Sequence, residues 1–336
     1  MAVVFRILGP EPTLYINPLM ASLSLLALFL LCRLWIGNTW GLLAATLMAF
    51  NPFANEHALA GDAHTAIVFF LLWGLFFLAQ WRKTYSPYWA FSAGLFFGML
   101  PTIRYPAIFF VLAIGIFILL NRPRNKEFWR SLIPGVISAA IPIIALCVHN
   151  QLAFGGFWKT AYTLSNEQTN FSWNYFANYS PQYLLKLLTE GCTLVFVLGI
   201  IGTAVLCARQ NTRKRGILLA MLVIPITLLY MSYYWPPDPQ SMRFLLPTFF
   251  IYTIASVWLL HLLTKNHRIL AWISSIVLLL VTMFWGLPQS TQRMQRPKDL
   301  NAVLAQVTRV LKKQVEPGSI LISDEGLNQH LDFLGY

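Results

Sequence analysis

The chain has 336 residues, of which 57% are hydrophobic and only 11% charged, too little charge to cover a soluble domain of this size. A formal net charge of +12 would suit a nucleic-acid partner, but the basic residues sit in short connections between long apolar runs, which excludes that reading. Cys32, Cys147, Cys192 and Cys207 lie in or beside those runs without metal-like or CxxC spacing, so no disulfide framework is expected.

A bilayer core asks for roughly 17–25 apolar residues per helix. In chain order the candidates are 16–36, 39–53, 64–81, 87–103, 105–121, 132–148, 189–208, 216–235, 244–264 and 269–287, about ten transmembrane helices in all. The short 39–53 run and the pair flanking Pro101 and Pro106 are expected to be tilted, broken or re-entrant. Residues 1–288 thus form an all-α polytopic membrane domain, with external loops at 54–63 and 149–188. The tail, 289–336, reads as a helix over about 298–314, a turn at Pro317-Gly318 and a strand at Ser319–Ser323, the start of a small α/β domain. Met1–Pro18 carries no signal peptide, and both ends look cut, so the chain is expected to be a fragment.

The connections fall into two alternating sets. One holds Arg33, Arg82, Lys83, Arg122, Arg124, Lys126, Arg130, Arg209, Arg213, Lys214, Arg215, Lys265 and Arg268 against the single acid Glu127. The other, with both termini, holds the remaining 11 basic and 11 acidic residues, so all the net charge lies on one face. The positive-inside rule makes that face cytoplasmic.

Ionisable groups at membrane depth are costly and are functional candidates. On the outer face they are Glu56, His57, Asp62, His64, Arg104, Asp238 and Arg243. Asp62 precedes an apolar run, where a carboxylate either caps the helix or faces a cavity. Glu56 and His57 are weak metal candidates, since their spacing with Asp62 and His64 matches no tight motif. Arg104, between Pro101 and Pro106, is either a snorkelling anchor or a partner for an anionic ligand. Arg243, at the start of a helix, offers a planar fork suited to phosphate and is otherwise an interface anchor. The 149–188 segment carries Asn150, Tyr162 and many aromatic rings, which suit either sugar faces or a helix lying at the interface.

No P-loop, dinucleotide fingerprint, HExxH or GxSxG is present. The order of the remaining signals resembles the GT-C glycosyltransferases. Within them it is closest to the dolichyl-phosphate-mannose–protein mannosyltransferase-like family that includes lipid A aminoarabinose transferases. The likeness rests on Ile16-Asn-Pro-Leu-Met20, Trp40–Ala45, Asn51-Pro-Phe through Ala60-Gly-Asp62, and Gly94…Gly98 with Thr102-Ile-Arg104-Tyr-Pro106. Asn150 through Tyr162 and Arg243-Phe-Leu-Leu-Pro247 complete it.

The resemblance implies a GT-C-like fold and sugar transfer from a polyprenyl-phosphate-linked donor to a lipid, glycan or protein acceptor. The site would face the outside of a bacterial inner membrane, among membrane lipids. It implies Asp62 as a supporting acid, Arg243 as the phosphate holder, and Arg104, Asn150, Tyr162 and His64 as substrate-binding residues. No cofactor is certain, and a divalent cation is left open. The family's principal acid follows a first helix that this chain starts beyond, so the chain by itself is expected to be inactive. Two other readings stay open: a transporter or flippase for a lipid-linked substrate, which broken helices and intramembrane arginines suit, and a non-catalytic membrane scaffold.

Overall fold

A computed structural model of the chain describes residues 15–60, 63–123, 126–237 and 241–314. The apolar runs expected from the sequence are largely helical. The first two helices, α1 (Ile16–Ile36) and α2 (Asn38–Ala49), are joined through Gly37, whose φ of 105° lies in the region that favours glycine. The expected 39–53 helix stops early, because Asn51 starts a new one, α3 (Pro52–Leu59). The Asn51 side chain accepts from the Ala54 N–H at 2.9 Å, and Pro52 at the first helical position needs no donor partner. Part of the segment read as an external loop at 54–63 is therefore helical.

Next come α4 (His64–Thr84) and α5 (Pro87–Ile103). The break expected between Pro101 and Pro106 is present. Arg104 is extended, with φ −148° and ψ 128°, and a single tight turn over Tyr105–Ala107 leads into α6 (Ile108–Leu120). Proline at 106 has no N–H to donate to the preceding turn, so the helical ladder cannot continue through it.

The helix expected over 132–148 is longer. It forms α7 (Lys126–Phe154), 29 residues that keep Pro134 and Pro142 inside. The 149–188 segment is not an open loop. It holds the end of α7, the single turn α8 (Ala161–Leu164) and α9 (Trp173–Lys186), which widens into a π-type turn over Leu187–Gly191. Trp173–Gly191 meets α10 (Leu194–Ala208) at a bend of 117°. The last helices are α11 (Arg213–Met231), α12 (Leu246–Thr264), preceded by a tight turn at Ser241–Leu245, and α13 (Arg268–Gln314).

Six of these helices are long and apolar enough to cross a membrane, or seven if the bent pair is one span, so the count of ten is not reached among the described residues. The tail also differs from expectation. The 269–287 and 298–314 segments are one continuous helix of 47 residues, about 70 Å at 1.5 Å per residue. The expected strand at 319–323 lies outside the described residues.

The all-α polytopic fold is held by close helix packing. In α5, Gly94 and Gly98 face α7, where a Cβ would collide with the carbonyl oxygens of Gly135 and Ala139. Small residues four apart bring the two backbones together, the usual solution where lipid gives helices no hydrophobic drive to associate. Ser138 seals this seam by donating to the Phe91 carbonyl at 2.7 Å. Helix α12 sits at the centre, with most of its side chains buried, including Phe249, Ile251, Ile254 and Val257. Such a helix, apolar all round and covered all round, is what a central membrane span requires.

Candidate active site

At one end of the bundle the start of α4, the end of α5, the end of α11 and the start of α12 converge. His64 opens α4, and Arg104 follows α5. An Arg104 Nη lies 2.8 Å from His64 Nε2. The Arg104 guanidinium stands 4.7 Å from the centre of the Phe244 ring, and the Arg243 guanidinium stands 5.3 Å from the same centre. Phe244 is in turn stacked on Tyr230 at 4.8 Å with only 11° between the rings. One aromatic ring thus locates two cations, using the negative potential of its face. The Arg243 Nε is buried and has no hydrogen-bond partner among the described residues. An orphan charged donor in a sheltered site asks for an acceptor.

A cavity of about 230 Å³ opens beside Arg104, lined also by Tyr105, Tyr162, Glu167, Tyr230 and Tyr233. The Tyr105 hydroxyl donates to Asn150 Oδ1 at 3.0 Å, and its ring meets Tyr162 edge-on at 5.6 Å. In the same cavity the Tyr233 hydroxyl donates to Glu167 at 3.5 Å. Burial first, and then the Glu167 carboxylate, push the Tyr233 phenol well above its usual range, so it stays a neutral donor.

The segment leading to this end is tied down residue by residue. Asn17 donates to the Ala60 carbonyl, Thr65 to the His57 carbonyl at 2.7 Å, and Asn51 to the Gly191 carbonyl at 2.8 Å. His57 stacks on Phe53 and meets His64 edge-on at 5.7 Å. Glu56 turns away, paired with Arg293 of α13 at 2.8 Å. Arg293 also lies 3.7 Å from Glu190 and 4.1 Å from the Phe53 ring centre. No three His, Cys, Asp or Glu side chains among the described residues come together as metal ligands. Asp62, the carboxylate given a supporting role, lies outside the described residues, as does Asp238.

Of the residues singled out in the sequence, His64 and Arg104 are in direct contact, and Arg243 joins them through Phe244. Tyr162 lines the cavity, and Asn150 is linked to it through Tyr105. Sequence reasoning missed Phe244, Tyr105, Tyr230, Tyr233 and Glu167. A signal did exist for two of them, since each arginine is followed directly by an aromatic residue, in Arg104-Tyr105 and Arg243-Phe244.

Arg82, Lys214 and Arg215 of the basic connections lie together at the opposite end. Arg82 is 18 residues along α4 from His64, about 27 Å of helix, close to the roughly 30 Å of a hydrocarbon core. Arg215, at the start of α11, meets Trp35 at the end of α1 and Trp258 late in α12. The fold and the site therefore define a multi-pass membrane protein with a tyrosine-lined cavity at one end, beside a pair of arginines held on one aromatic ring. Residues 4–149, somewhat under half of the chain, match the family model described as dolichyl-phosphate-mannose-protein mannosyltransferase, in agreement with the resemblance read from the sequence. That family is one of membrane glycosyltransferases, and in general terms it implies a lipid-linked sugar donor and an acceptor. No curated protein matches the chain.

Proposed function

We propose that the end of the bundle bearing Arg104 and Arg243 transfers a sugar from a polyprenyl-phosphate-linked donor to an acceptor, on the outer face of a bacterial inner membrane. The observation that carries this reading is the pair of guanidinium groups held on one Phe244 ring beside His64. In the transfer, the bond between the sugar C1 and the phosphate oxygen breaks while an acceptor oxygen bonds to C1. Negative charge builds on the departing phosphate, and cations fixed beforehand stabilise it without reorganising. Arg104 and Arg243 fill that role, with His64 orienting Arg104. The acceptor proton passes to a carboxylate. Asp62 is the supporting acid in this reading, and Glu167 is a carboxylate facing the same cavity as Arg104. Asn150 and Tyr162 shape the sugar side through Tyr105.

The transporter reading asks for a site near the bilayer midplane, whereas this cluster lies at helix ends. That position favours the transferase.

The test is binding of a short-chain polyprenyl phosphate to the purified full chain. Arg243→Ala should weaken binding by roughly 10- to 150-fold, the loss of a charge-assisted bond of about 1.5–3 kcal/mol. Arg243→Lys should fall between, because it keeps the charge and loses the fork. Wild-type binding by both variants would remove the phosphate role.

A further inference from the structure

The opposite end of the bundle carries a second cavity, unrelated to the sugar-transfer reading. It measures about 430 Å³, within the size range of small-ligand sites, and it is lined by Arg82, Lys214 and Arg215 over apolar walls that include Phe117 and Leu218. We infer that this cavity binds the phosphate of an anionic phospholipid headgroup from the leaflet facing the basic connections.

Two of its cations are fixed by contacts that leave their charge unopposed. The Arg215 guanidinium lies 5.9 Å from the Trp35 ring centre and 5.3 Å from that of Trp258. Arg82 donates to the Asn121 carbonyl at 3.1 Å. Among the described residues no carboxylate pairs with Arg82, Lys214 or Arg215; the ion pairs formed there involve only Lys186, Arg293, Glu56 and Glu190. An anchor that merely snorkels extends alone to the nearest headgroup. Here residues from α4 and α11 converge on one hollow. Two guanidinium forks and an ammonium match the acceptor oxygens of a phosphate diester. The apolar walls suit the glycerol and first methylenes that follow it. The charge complementarity is strongest for the anionic lipids of a cytoplasmic leaflet, where each nearby Lys or Arg contributes about 1 kcal/mol.

The experiment uses the full chain purified in detergent, stripped of lipid, and mixed with phosphatidylglycerol or phosphatidylcholine before native mass spectrometry. The wild type should retain phosphatidylglycerol in preference to phosphatidylcholine. Arg82→Gln with Lys214→Gln should lower that retention by about tenfold or more. Arg209→Gln with Arg213→Gln removes the same charge from the same face but outside the cavity, and it should change retention less than about twofold if contact, not bulk field, decides. Equal loss in the two double variants would overturn the site. Competition by glycerol 1-phosphate as effective as that by the whole lipid would overturn the lipid source and assign the cavity to a soluble phosphate. Should the Arg82 change disturb folding, seen as a lower melting midpoint, Lys214→Gln alone decides: an exposed side chain whose loss must still reduce retention.

Discussion

Replacing Phe244 with leucine separates the platform from the charges it holds. The ring meets Arg104 at 4.7 Å and Arg243 at 5.3 Å, and it stacks on Tyr230 at 4.8 Å. Each cation–π contact contributes about 0.5–2 kcal/mol, depending on how far it is shielded from water. The stack adds about 0.5–1.5 kcal/mol. Leucine keeps most of the apolar contact and loses the ring potential, so both guanidinium groups regain rotamer freedom. Ordering them again around a ligand costs about 0.5–1.5 kcal/mol per side chain, or about 1–3 kcal/mol for the pair. Affinity for a short-chain polyprenyl phosphate should therefore fall roughly 5- to 150-fold, with both charges still present. Phe244→Tyr keeps the ring face and should bind within a few-fold of wild type. The assay is a calorimetric or fluorescence titration of the purified chain, with the melting midpoint recorded for each variant. Wild-type affinity in Phe244→Leu would refute the platform. So would a loss that only tracks the fraction of protein folded.

Two further outcomes follow from the packing and from the cavity wall. Gly94→Ala should destabilise the chain by about 1–3 kcal/mol, because its Cβ meets backbone of α7 that cannot step aside. Gly115→Ala, where no atom lies within 4 Å, should be neutral or mildly stabilising, and thermal melts of the two variants side by side check the contrast. The Tyr233 phenol is raised in the folded protein by burial and then by Glu167. The stability this provides is complete below the unfolded value of about 10 and is lost as pH rises towards the raised folded one. The melting midpoint of wild type should thus fall more steeply between pH 9 and 11 than that of Tyr233→Phe, which has no such proton to lose; parallel curves would contradict it.

Much of this fold is legible in the sequence because the bilayer leaves few alternatives. Apolar runs must become helices, and the helix break at Arg104 follows from proline at 106. What is less legible is where runs join or split. Pro134 and Pro142 stay inside α7, and Pro288 stays inside α13, because membrane helices tolerate proline when neighbours satisfy the freed groups. Conversely, no hydropathy pattern marks Asn51 as the cap that divides 39–53. Its role depends on its own bond to Ala54 and on the distant Gly191 carbonyl.

The site shows the same division. His64, Arg104 and Arg243 stand out singly, since charge is rare in such a chain. That one ring would join the two arginines depends on how α5 and α12 end against each other, some 140 residues apart in sequence. The same holds for Glu167 and Tyr233, which face one another only after the 149–188 segment folds back as short helices.

The central claim is that Arg104 and Arg243 hold one phosphate between them. A double-mutant cycle tests it most directly, with Arg104→Ala, Arg243→Ala and both together titrated with a short-chain polyprenyl phosphate. A shared ligand predicts that each single variant binds at least about tenfold more weakly, with the double falling short of the product of the two by a coupling of about 0.5–3 kcal/mol. Wild-type affinity in both single variants, or strictly additive losses, would contradict it.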